Sequence, residues 1–147
     1  MKKYEFTGET TEIRLLFRTA TLHRIRATVA FGIVEVGDLG GWIEKEENLS
    51  HEGKAWVCGD AEVFSASHVL VIGAIGSRND FTTFYRDKDN EITVKCGCFL
   101  GKIDRFLEKV TQTHGDSKYA LVYRAAVEVA KLQIDLSGEA PKDADEE

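Results

Sequence analysis

The chain has no run of eighteen apolar residues, so it offers no span for a membrane helix. Its N-terminus, Met-Lys-Lys-Tyr-Glu-Phe, lacks an apolar signal core. Cysteine is scarce and odd in number: Cys58, Cys96 and Cys98. No disulfide framework fits that spacing, which argues for reduced thiols in a reducing compartment. A concentrated basic face is also missing. Net charge is −6, and residues 139–147 hold five acids against one lysine, so the rest of the chain carries only −2. Duplex nucleic acid is a disfavoured partner for such a chain, although a few local arginines still suffice for a small anion. Together these absences point to a cytoplasmic protein with no membrane partner, about one domain long at 147 residues.

What is present is a period of six. From Ala55, every sixth residue is small: Ala55, Ala61, Ser67, Gly73. From Val57, every sixth is β-branched: Val57, Val63, Val69, Ile75. Helices repeat near 3.6 and strands at 2, so neither explains this pattern. A chain that runs straight, turns and runs straight again would place one branched side chain inward on each face. The expectation is a short left-handed parallel β-helix of hexapeptide type ending at Gly76. The competing reading is an ordinary strand pair with coincidental alternation.

Ahead of the repeats, residues 3–6 suit a short strand and residues 7–11 a polar turn. Alternation from Ile25 onward suits a half-buried strand whose polar side presents Arg24 and Arg26. Gly40 and Gly41, just before Trp42, suggest a corner where backbone approaches backbone. A phosphate loop would need a following Lys-Ser/Thr and a helix, and neither is there.

After the repeats, residues 81–86 and 91–96 flank the polar turn Asp87-Lys88-Asp89-Asn90, which predicts a β-hairpin. Two helices follow. Ile103, Phe106, Leu107 and Val110 mark the buried face of the first, and Gly115 ends it. Tyr119, Val122, Ala126, Val129 and Leu132 or Gln133 mark the second, with Ala125 and Ala130 permitting close approach and Asp116 or Ser117 as its N-cap. The fold class expected is therefore α+β: a short β-helix, a hairpin, then two C-terminal α-helices. Three segments follow from this reading: residues 1–76, residues 77–136, and a disordered acidic tail at 137–147.

The run Gly37-Asp38-Leu39-Gly40-Gly41-Trp42-Ile43-Glu44, then Glu47-Asn48-Leu49-Ser50, then residues 53–63, resembles phage and prophage proteins with hexapeptide-like polymer-forming repeats. The likeness spans about residues 22–76 and weakens after Val63, where Ser65-Ala66-Ser67-His68 replaces a glycine-containing unit. Residues 75–134 are similar to an uncharacterised module that recurs in phage genomes. Its pieces here are Ile75-Gly76-Ser77-Arg78-Asn79-Asp80, Val94-Lys95-Cys96-Gly97-Cys98-Phe99, and Thr113-His114-Gly115-Asp116 with Tyr119. The resemblance implies a phage setting and a left-handed β-helix. It also brings trimeric acyltransferases to mind, for which His68 would be the histidine to test.

The best candidate for chemistry is Ser77-Arg78-Asn79-Asp80, at the end of the repeats. Arg78 offers a planar fork suited to phosphate. Asn79 could read a base edge or a ribose hydroxyl. Phe99, with Phe81, Phe84 and Tyr85, could supply stacking. His114 and Tyr119 sit at the turn between the helices and would converge on the same cleft if the helices pack on the hairpin. The alternative is an Arg78–Asp80 ion pair that locks the junction. Arg24 and Arg26 complete the set of ligand-binding candidates. No metal site and no cofactor are expected: Cys96-Gly97-Cys98 lacks two further ligands for zinc.

The functional expectation is a non-enzymatic, counter-defence binding protein of a phage, a homo-oligomer that sequesters a small anionic, nucleotide-derived immune signal unchanged. The alternatives are a protein–protein inhibitor of a host defence factor, and a hexapeptide-class transferase or small hydrolase.

Overall fold

In the computed structural model, the residues described are 2–15, 17–59, 61–97, 99–136 and 142–143. Cys98 and most of the acidic tail lie outside them, so the calls made on those residues have no counterpart in the fold.

The described residues form two sheets and two α-helices. Strand β1 (Tyr4–Arg14) pairs antiparallel with β2 (Thr19–Ala27), from Tyr4 opposite Ala27 to Arg14 opposite Thr19. The polar stretch expected to turn at residues 7–11 stays inside β1. It is absorbed as a register shift between Phe6 and Thr10, where Gly8 takes φ 95°. Strand β3 (Leu39–Ile43) adds to β2, antiparallel, with a second shift between Arg24 and Arg26. Strand β4 (Glu62–Val63) then pairs parallel with β3. The second sheet is a meander of β5 (Val69–Ile75), β6 (Asp80–Arg86), β7 (Ile92–Cys96) and β8 (Phe99–Lys102), antiparallel throughout. Helices α1 (Ile103–His114) and α2 (Lys118–Gln133) follow, and the two-residue strand β9 (Lys142–Asp143) returns to the outer edge of β1.

This overturns the β-helix. Neither sheet is a solenoid, and among the described residues the one parallel pairing is Trp42 and Ile43 of β3 with Glu62 and Val63 of β4. The sixes do place side chains inward, since Ala55, Val57, Ala61 and Val63 are all buried. They do not stack on one another. They pack under the first sheet with Tyr4, Ile25 and Trp56. From Val69 the same chain becomes β5, paired with β6. The period thus records which residues meet a core, and the core they meet belongs to other strands.

Gly40 and Gly41 lie where two chain segments touch. A Cβ on Gly40 would sit 2.7 Å from the Trp56 ring, and one on Gly41 would sit 2.8 Å from the Ala61 carbonyl oxygen. The Gly41 N–H donates to the Val57 carbonyl and the Trp42 N–H to the Ala61 carbonyl, both at 2.9 Å. Polar side chains also turn inward here. The buried Lys3 Nζ donates to the carbonyls of Ala55 (2.5 Å) and Glu52 (3.2 Å), and the Tyr4 hydroxyl reaches the Leu49 carbonyl at 2.7 Å. These bonds satisfy donors that would otherwise be costly to bury.

The second core lies between the meander and the helices. Helix α1 turns Phe106 and Val110 inward and ends at Gly115, whose N–H reaches the Thr111 carbonyl at 2.9 Å. Helix α2 buries Ala120, Tyr123, Ala126, Val127 and Ala130. This corrects the expected face. Tyr119, Val129 and Leu132 are exposed, because three alanines bring the helix backbone close to its neighbours and rotate the larger side chains outward. Among the described residues, no helix is long and apolar enough to cross a membrane.

Candidate functional site

The β5–β6 connection is a tight turn. Gly76 takes φ 79° and Asn79 takes φ 49°, and the Asn79 N–H reaches the Gly76 carbonyl at 3.2 Å. Gly76 is required for a second reason, since a Cβ there would collide with the Tyr123 hydroxyl. Helix α2 therefore presses its phenol directly against the turn that carries Arg78. Burial, with the Cys96 thiol beside it, holds the Tyr123 phenol above its usual range, and the neighbouring Ser77 works in the opposite direction.

Between this turn, the β7–β8 corner and α1 lies a cleft of about 190 Å³. Ser77, Arg78 and Asp80 line one side, Phe99 and His114 the other. Its base is aromatic: Phe106 stands 5.4 Å from Phe99 and 5.7 Å from Tyr123, which in turn stacks on His114 at 5.7 Å. Five of the nine residues singled out in the sequence thus meet in one place. Asn79 shapes the turn without lining the cleft. Tyr119 lies beside His114, ring centroids 5.6 Å apart, and is 45% exposed. Arg24 and Arg26 stand elsewhere, on β2. Arg24 lies over the Trp42 ring at 5.1 Å, and Arg26 pairs with Glu5 at 2.6 Å.

The proposed Arg78–Asp80 ion pair does not form. Asp80 pairs instead with Lys54 at 3.0 Å. Burial pushes the Asp80 carboxyl up, but the Phe81 N–H and the Lys54 ammonium outweigh it and hold the group below its usual range. Among the described residues, no carboxylate forms an ion pair with Arg78.

Sequence reasoning missed Lys109. It lines the cleft together with Phe106, Val110 and Thr113, a stripe at i, i+3, i+4 and i+7 on α1. That spacing was readable, but the reading of α1 took only its apolar members, Ile103, Phe106, Leu107 and Val110. The cleft thereby has a second cation in addition to Arg78. Cys96 also lines it, and the Thr82 hydroxyl lies 3.4 Å from its sulfur. Among the described residues, no group of three or more histidine, cysteine or carboxylate side chains could hold a metal ion.

His68, the candidate suggested by the transferases, is buried away from this cleft. Burial, then the Arg86 charge, pushes its imidazole down to about 4. Comparison of the chain with protein-family models, with curated proteins and with solved structures finds no match.

Proposed function

We propose that this chain is a binding protein that holds a small anionic, nucleotide-like molecule in the cleft beneath the β5–β6 turn, without converting it. The observation that carries the reading is Arg78: a guanidinium that lines an aromatic-based cleft while the nearby Asp80 is engaged by Lys54. Arg78 and Lys109 supply charge for a phosphate, as a planar fork and a point charge respectively. Phe99 and His114 supply ring surfaces for a base. The volume is below the roughly 300–1,000 Å³ usual for drug-sized ligands. One nucleotide unit enters more readily than a whole dinucleotide, and a larger signal would be held by one end.

The resemblance to phage proteins supplies the setting, in which such binding would sequester a host immune signal. The exposed Leu121, Val129 and Leu132 on α2 support self-association into a homo-oligomer.

The test is native mass spectrometry of protein purified from a bacterial host, followed by denaturation and analysis of what is released. An intact nucleotide-like mass in stoichiometric amount is expected, and its loss in Arg78→Ala at unchanged melting temperature. A converted product would point to an enzyme. A ligand retained in full by Arg78→Ala would remove this cleft from consideration.

A further inference from the structure

Among the described residues, Asp80 is the one carboxylate that lines the Arg78 cleft. A carboxylate there opposes an anionic ligand in two ways. It repels the incoming charge, and it competes for the guanidinium. Arg78 and Asp80 stand two residues apart in the same wall, so their pairing is the local rival of ligand binding. Both oxygens of Asp80 are engaged elsewhere. Oδ1 accepts the Phe81 N–H at 2.7 Å, and Oδ2 pairs with Lys54 Nζ at 3.0 Å. The two side chains are 35% and 23% exposed, so solvent screens the pair less than an open surface pair. Lys54 is itself held from several sides. The carbonyls of Glu52 and Ala55, which flank it in the chain, accept the buried Lys3 ammonium at 3.2 and 2.5 Å. Gly53 lies against the Phe81 ring, with which a Cβ would collide. The Lys54 stem passes Gly32, where a Cβ would stand 3.5 Å from its Cδ. A lysine of the segment that seals the first sheet thus brings its charge to the site at the end of the second.

We propose that Lys54 is a positioning residue of the cleft, a role that rests on the nucleotide reading of that site: by holding Asp80, Lys54 leaves the Arg78 guanidinium available to a phosphate. The described residues that line the cleft do not include Lys54, so it acts through Asp80 and not on the ligand. Burial pushes the Asp80 carboxyl up, but the Phe81 N–H, the Lys54 ammonium and the more remote Lys3 charge outweigh it, and the group stays ionised. Lys3 cannot take over from Lys54, because its ammonium is committed to two carbonyls and to the Phe31 ring at 4.8 Å. Once Lys54 loses its charge, Asp80 turns to the cation two residues away, and Arg78 is withdrawn from the ligand. Neutralising Asp80 as well removes the rival and returns the guanidinium to the cleft.

The experiment reads the full chain in two ways. The first needs no ligand: the Nε–Hε signal of Arg78 in nitrogen–proton NMR spectra, identified by its loss in Arg78→Ala. It should shift in Lys54→Gln and return to its wild-type position in the double variant Lys54→Gln/Asp80→Asn. The second is calorimetric titration with adenosine 5′-monophosphate at constant ionic strength. Lys54→Gln should weaken binding about tenfold, the scale of one charge-assisted bond. Lys54→Arg and the double variant should bind like the wild type, and Asp80→Asn at least as tightly. Recovery on adding a second substitution cannot come from a general loss of stability. An Arg78 signal unmoved in Lys54→Gln would overturn the proposal. So would weak binding that persists in the double variant, or binding lost in Arg78→Ala and kept in full by Lys54→Gln. Wild-type protein that does not bind the mononucleotide would overturn the reading of the cleft instead, and the Arg78 signal would still decide the role of Lys54.

Discussion

One face of the five-stranded sheet is sealed by a chain segment lying against Gly40 and Gly41; one face of the four-stranded sheet is sealed by aromatic rings beneath two helices. The first sheet is covered by a stretch of largely irregular chain, residues 53–59, which with Ala61 brings its own backbone against β3. Backbone against backbone leaves room for hydrogen at the α-carbon and little else, hence Gly41, while Gly40 makes room for the Trp56 ring. The second sheet is covered by helices, whose rings meet at angles near 90°, as in Phe106 against Phe84 and against Tyr123. Rigid rings set at such angles do not close the end of the sheet, and the cleft with Arg78 is the space that remains. The difference teaches where a small fold keeps room for a ligand: at the end of a helix-covered sheet, and not under a tightly sealed loop.

The largest effect expected is on the sealed side. Trp56→Ala removes a ring that is 2% exposed and packs against Tyr4, Phe31 and Gly40, and should cost about 3–5 kcal/mol, read as a fall in the urea midpoint. A cost under about 1 kcal/mol would mean that this core is far looser than its contacts. Next comes the open side. Gly76→Ala places a methyl group against the Tyr123 hydroxyl at a positive φ, and should cost roughly 1–3 kcal/mol while displacing the Arg78 turn. Ligand release in native mass spectra at temperatures well below melting would show the displacement directly. The smallest effect is that of Tyr123→Phe, which keeps the ring and removes the hydroxyl beside Ser77. About 0.5–1.5 kcal/mol of stability should be lost, with a larger proportional loss of ligand. Equal retention of ligand by Tyr123→Phe and wild type would show that the phenol packs the turn without positioning Arg78.

The legible part of the candidate site was local. Ser77, Arg78 and Asp80 are neighbours in sequence and share one turn. Phe99 and His114 joined them because a meander followed by a helix returns the chain to the same end of the sheet. Arg24 and Arg26 did not, since β2 belongs to the other sheet. Lys109 was hidden by its charge, although its spacing from Phe106 placed it on the cleft side of α1. On the second helix Ala126 and Ala130 lie inward as read, but Tyr119, Val129 and Leu132, read with them, are exposed, and Tyr123 and Val127 are buried in their place.

What the amino-acid sequence determined by itself is what neighbouring residues settle among themselves. Asp87 closes the β6–β7 turn by accepting the N–H groups of Asp89 and Glu91, at 2.9 and 3.1 Å. Gly115 ends α1, and the spacing of Phe106 and Val110 gives that helix its inner face. The period of six likewise told which of residues 55–63 turn inward. Only the tertiary structure decided what they turn toward. A strand offers the same backbone donors and acceptors to any partner, so pairing is settled by competition between distant segments for one another's apolar faces. That competition gave β4 to β3 in parallel, gave β5 to β6 in antiparallel, and divided the period of six between two sheets.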